Sequence, residues 1–219
     1  MLGGIMLWWQ RQPAYRDLDL RWNPFGELTP AERGQLAVVD AGDADVIRPG
    51  RFRPVQIIAD AGHGKTTHLL ALAQRTAGAI YEYVPEGTDT YQSAPLPEHL
   101  FLLDEAQRVR PAHLRRLLRS HPWLVFGTHQ DLSPFSPHPV RTLRLTQLSG
   151  EKLHQIALAR LQWAHGQAPG NPPALPPGLL ESLRQKHGAN LRAIEDDLYV
   201  WYQNWHPAAV PKSSWPNVN

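Results

Sequence analysis

The sequence predicts an α/β fold, a parallel-sheet core followed by a small C-terminal helical lid. Three observations carry this. The apolar run Val55–Ala59 passes through the small-residue turn Asp60-Ala61-Gly62-His63-Gly64 into Lys65-Thr66-Thr67 and the apolar positions of a helix. The run from His99 to Asp104 is apolar on both faces, as a central parallel strand is, and it ends on the acidic pair Asp104-Glu105. After Gln147 strand patterns give way to helical spacings broken by prolines.

The elements follow in order. Thr29 to Val39 reads as a helix, with Thr29 as its N-cap, Pro30 in the first turn and Glu32 three residues past the cap. Arg48-Pro49-Gly50 turns into the first strand. A helix then runs from Lys65 to Thr76, with Leu69, Leu70, Leu72 and Ala73 inward and Gly78 as its stop. Ala79–Val84 alternates as a strand, 85–98 is a loop, and Pro111–Arg119 is a short helix. His121–Thr128 is the next buried strand, 131–139 a Pro-Ser loop, and Val140–Leu145 a fifth strand. Strands separated by helices imply crossovers and a parallel sheet. In the helical part Ser149 caps a helix that ends near Gly166, with Leu153, Ile156, Ala157 and Leu161 at helical spacing. A proline-rich loop, 167–177, precedes a helix Leu179–His187 stopped by Gly188, and Leu191–Trp205 is the last. The chain therefore divides into an N-terminal extension (1–22), an α/β core (23–147), a lid (148–206) and a tail (207–219).

The order strand, glycine turn, Gly-Lys-Thr, helix is what a phosphate cradle needs. Gly62 and Gly64 let successive N–H groups face phosphate oxygens, and the helix N-terminus adds partial positive charge. The cradle is Ala59, Asp60, Ala61, Gly62, His63, Gly64, Lys65, Thr66 and Thr67; Lys65 reaches the outer phosphates and Thr66 offers a hydroxyl to Mg²⁺. Ala59 stands where the general pattern has glycine. Asp104, at the carboxyl end of its strand, is placed beside the loop to hold Mg²⁺ directly or through water, and Glu105 to orient and deprotonate a water.

Composition bounds the rest. With 219 residues, 42% hydrophobic and 19% charged, the chain can bury a full core, and its net charge of +2 does not by itself argue for nucleic acid. Having no cysteine, it uses no disulfide, thiol nucleophile or cysteine-based zinc site, which suits a cytoplasmic location. Eleven histidines include no His-Glu-x-x-His spacing. Met1–Trp9 is apolar but lacks a basic leader and is too short to span a bilayer; it reads as a packing or partner-contact segment, with Met6 a second candidate start. Arg108, Arg110, His113, Arg115, Arg116 and Arg119 surround the short helix after the acidic pair, either as a solvated face or as a DNA contact. Trp201, Tyr202 and Trp205 read as lid core first and partner surface second.

From about residue 20 to 205 the chain resembles the AAA+ class of P-loop ATPases. Ala59–Thr66 is similar to its Walker A loop and Leu100–Glu105 to Walker B. Thr128, at the tip of the next strand, resembles the sensor 1 position, with His129 a neighbour that could take the same role. Gly188-Ala189-Asn190-Leu191-Arg192 resembles the start of the sensor 2 helix, which implies that Arg192 reaches the γ-phosphate. Asn23-Pro24-Phe25 resembles the segment that relatives place near adenine. Many relatives form rings with a neighbour's arginine at the γ-phosphate, placed shortly before the fifth strand; here that loop holds no arginine, and the first candidate is Arg141, in the strand itself.

These expectations converge on an ATP-binding, Mg²⁺-dependent ATPase with Glu105, Lys65, Thr128 and Arg192 in catalytic roles and Thr66 and Asp104 at the metal. Such a subunit would act through a protein partner, with DNA and a homo-oligomer left open. A small-molecule kinase and an ATP-gated interaction module that hardly hydrolyses are the rivals.

Overall fold

The computed structural model describes residues 18–94 and 96–204; the expectations on Met1–Trp9, Trp205 and the tail lie outside them. Five parallel strands form one sheet in the order β2-β3-β4-β1-β5: β1 Val55–Ile58, β2 Ile80–Tyr83, β3 Phe101–Asp104, β4 Leu124–Thr128 and β5 Arg141–Arg144. The three inner strands β3, β4 and β1 are buried along their whole length, which is why their sequences are apolar on both faces. After β1, helix α3 (Lys65–Arg75) carries the chain across β4 and β3 to the edge strand β2. The strand of the phosphate loop is thus separated from the acidic strand by β4, which pairs with both.

The faces of the sheet bury different partners. Val55, Ile57, Leu100, Leu102, Val125 and Leu143 pack with Leu69 of α3 and with Ile47 of helix α2 (Ala41–Ile47). Phe101, Leu103, Leu124 and Phe126 face the other way, against Leu114, Leu117 and Leu118 of helix α4 (Pro111–Ser120). The lid has a third cluster. Helices α5 (Gly150–His165), α6 (Leu179–His187) and α7 (Leu191–Gln203) bury Leu153, Leu161, Leu183, Ile194, Leu198 and Tyr202 together.

The first helix is shorter than its sequence suggests. Thr29 and Glu32 form the expected capping box, but α1 spans only Pro30–Gln35. The chain then leaves the helix so that Leu36, Ala37 and Val38 line a cavity, and Asp40 takes the N-cap position of the unanticipated α2 without a side-chain capping bond. The expected strands shorten by a residue or more at their ends, most of all at β4, which begins at Leu124 rather than His121. Helix α3 stops at Arg75, short of Gly78, which takes the left-handed conformation three residues later.

Candidate functional site

The carboxyl ends of β1, β3 and β4 meet the start of α3. Gly62 and Gly64 have φ of +82° and +92°, values that side chains rarely accept, and so curl the loop around the helix N-terminus. Lys65 is buried; its Nζ donates to the carbonyls of Ala59 at 2.8 Å and Asp60 at 3.2 Å, and stands 3.3 Å from Nε2 of His129. Burial lowers the Lys65 pKa, a pull opposed by the nearby Glu105 and Asp104 charges.

Asp104 is completely buried and its carboxylate takes three hydrogen bonds. Thr66 Oγ1 donates at 2.6 Å, the Tyr81 hydroxyl at 3.1 Å, and the Glu105 backbone N–H at 3.0 Å. Burial raises its pKa, against the lowering effect of those donors. Glu105 has φ of +59°, a left-handed turn that takes it off the line of the strand. Its carboxylate accepts from Gln107 Nε2 at 2.7 Å, and lies 3.3 Å from the Arg108 guanidinium and 3.4 Å from His129 Nε2. A Mg²⁺ ion fits this donor set: two hard oxygens, the Thr66 hydroxyl and the Asp104 carboxylate, already touch beside the loop.

Thr128 and His129 part company. Thr128 is buried with its hydroxyl bound to the carbonyl of Gln130 at 2.9 Å, and it closes the turn after β4. His129 lines the cavity between Lys65 and Glu105. Sequence reasoning singled out neither Gly127 nor Tyr81. A Cβ at Gly127 would stand 2.8 Å from Asp104 Oδ1 and 3.2 Å from Leu69, so the absent side chain makes room for the Asp104 carboxylate. Its only signal was a small residue in an otherwise bulky strand.

The lid rests on the loop. Arg192 lines the cavity, and its backbone N–H donates to the Gly62 carbonyl at 3.3 Å. Asn190 caps α7 by accepting from Ala193 N, and its Oδ1 would lie 2.2 Å from a Cβ at Gly62. Lys152, in the first turn of α5, pairs with Asp40 at 2.8 Å and Asp43 at 3.1 Å; His68 of α3 also meets Asp43, at 3.4 Å. A cleft of about 270 Å³ is lined by the loop and also by Leu28, Leu36, Val38, Leu148 and Ile156, with Arg33, Arg160 and Glu195 among its other residues. The expected adenine segment is not part of that wall. Phe25 packs on Tyr202 in the lid cluster, and Asn23 Nδ2 donates to the Tyr199 carbonyl at 2.8 Å.

Two arginine expectations meet other partners. Arg141 donates to the Arg48 and Asp45 carbonyls and so closes the last turn of α2 within its own chain. In the basic cluster Arg108 is tied to Glu105, Tyr83 and Val84, Arg110 is paired with Asp89, and Arg115 lies over Phe135; His113, Arg116 and Arg119 are exposed.

Sheet order, phosphate loop and helical lid together give an α/β P-loop architecture, the fold that the resemblance to the AAA+ class implied. No protein-family model matches the chain, nor does any curated protein sequence. Among solved structures it is similar to domain III of the replication initiation protein DnaA of Thermotoga maritima, at 16% identity and a TM-score of 0.48 over 78% of this chain and 87% of that one. It is also similar to NtrX of Brucella abortus (14% identity, TM-score 0.48) and Cdc6p of Pyrobaculum aerophilum (16%, 0.45). Those matches cover 86% and 83% of this chain, which spans 56% of NtrX and 66% of Cdc6p. Among the described residues no helix is long and apolar enough to cross a membrane.

Proposed function

We propose that this chain is an AAA+ type ATPase that binds Mg-ATP between the sheet and the helical lid and hydrolyses it, as a switch or motor subunit acting through a partner. The observation that carries this is the convergence at one end of a single cleft. The Lys65 ammonium and the Glu105 carboxylate both lie within 3.4 Å of the His129 ring, and the same cleft offers the apolar Leu36, Val38 and Ile156 on its lining. A triphosphate suits that polarity, with phosphates at the loop and base between Leu36, Val38 and Ile156.

In this reading the N–H groups of residues 60–67 and the Lys65 ammonium hold the phosphates. Mg²⁺, held by Thr66 and Asp104, would neutralise phosphate charge. Glu105 takes a proton from water as the water oxygen attacks the γ-phosphorus; the bond to the β–γ bridging oxygen breaks, leaving ADP and phosphate. His129 holds the water or a γ-oxygen, the role expected of Thr128, whose buried turn presents it. Arg192 meets the γ-phosphate from the lid, so loss of that phosphate loosens α7 from Gly62. Division into a core to residue 147 and a lid from 148 belongs to the same reading. The separate lid cluster supports it, although Leu20 and Phe25, which precede the sheet, join that cluster.

Steady-state phosphate release tests the proposal. Wild type should turn over ATP without an added acceptor, and Glu105→Gln should lower kcat by about 10²–10⁴ while nucleotide binding persists. Turnover that appears only with an acceptor points to the kinase. Binding without turnover points to the gated module, and unchanged turnover in Glu105→Gln removes Glu105 as the base.

A further inference from the structure

The oxygens of Asp104 are not served alike. Oδ1 takes the backbone N–H of Glu105, a donor supplied whatever side chain follows. Oδ2 takes two hydroxyls, Thr66 from the helix start and Tyr81 from the edge strand β2. β2 pairs with β3 so that Tyr81 lies beside Leu102 and Tyr83 beside Asp104. The Tyr81 ring therefore stands on the α3 face, packed against the same cluster as Leu102, and reaches two residue pairs further along to the carboxylate. Burial, then the Asp104 charge, push the Tyr81 pKa upward, so its hydroxyl keeps its proton and remains a donor.

Resting on the nucleotide reading above, we propose that Tyr81 is a positioning residue for the metal–triphosphate site, its hydroxyl fixing Asp104 Oδ2 and thereby setting the Mg²⁺ concentration at which nucleotide is held. A carboxylate that presents lone pairs to a cation or to its water shell must be held in one rotation about its terminal bond. The Thr66 hydroxyl cannot do this alone, because it is itself a candidate ligand. Tyr81 is not among the residues that line the cleft, and its hydroxyl donates to Asp104. Its influence passes through Asp104, and groups that orient metal ligands in this way carry about 10- to 100-fold in metal affinity.

The test is the binding of N-methylanthraniloyl-ATP to the full chain, followed by fluorescence as Mg²⁺ is titrated. Tyr81→Phe keeps the ring and removes the donor. Its half-saturating Mg²⁺ should rise about 10-fold, and that for Mn²⁺ likewise, with binding in EDTA equal to wild type. In an Asp104→Asn background the same substitution should add less than about twofold, since its route is gone. Three results overturn the proposal: a Mg²⁺ dependence unchanged within that twofold, an equal loss of binding in EDTA, or a full effect that persists without the carboxylate. Wild type that binds no nucleotide under either condition overturns the nucleotide reading and this one together, whereas wild type that binds normally isolates the fault to Tyr81.

Discussion

One sheet presents two unlike faces. Toward α4 the inner strands offer Phe101, Leu103, Leu124 and Phe126, and α4 answers with leucines. Toward α3 the same strands begin apolar but finish on Asp104 and on Gly127, whose missing side chain clears space for that carboxylate. The contrast separates what holds the molecule together from what its site requires. On the α4 face only volume counts. On the α3 face, at the carboxyl ends, a buried acid is stabilised by three donors and would be costly without them.

Substitutions can break or sharpen that separation. Leu118→Ala on the α4 face removes a side chain that is 1% exposed and should cost about 2–5 kcal/mol in urea unfolding. Nucleotide affinity, measured where the variant is still folded, should stay within about twofold; a larger change would mean that the faces are coupled. Gly62→Ala reverses the balance. A methyl at φ +82° costs about 1 kcal/mol and meets Asn190, whose cap is worth about 1 more. Affinity should therefore fall about tenfold or further, with the lid loosened. An unaltered affinity would show that the lid does not seat on the loop.

Asp43 gives the smallest effect and a signature in pH. Hydrogen bonds from His68 and then Lys152 hold its carboxyl down at about 2, against an ordinary 3.8. A depressed acid contributes its stability above the ordinary value and loses it as pH falls through the folded one. Because the group is partly solvated, the contribution is about 1 kcal/mol, lost between about pH 4 and 2. Asp43→Asn should flatten that part of the acid limb in chemical denaturation; a limb as steep as wild type's assigns the dependence to other acids.

Much of this was legible because it is local. The glycines and Lys65-Thr66 state the loop geometry within eight residues, the run before Asp104 states burial on both sides, and Thr29, Ser149 and Gly188 mark helix ends by their own chemistry. What was hidden depends on neighbours across the sheet. Tyr81 looks like an ordinary strand residue until β2 is known to flank β3. His129 and Thr128 are adjacent, and only the turn made by the threonine hydroxyl decides which ring or hydroxyl enters the cleft. Helix α2 was missed because seven residues containing Gly42 give too little periodicity, and Phe25 because a lid formed more than 120 residues later supplies its partners.

Glu105 carries a glutamate in a backbone shape better suited to asparagine or glycine. Relief of that strain is worth about 1 kcal/mol, so Glu105→Asn should melt slightly above wild type while losing turnover. A variant library sorted on heat resistance alone would discard the residue proposed as the base. Any engineering of this chain must therefore select for turnover and endurance together.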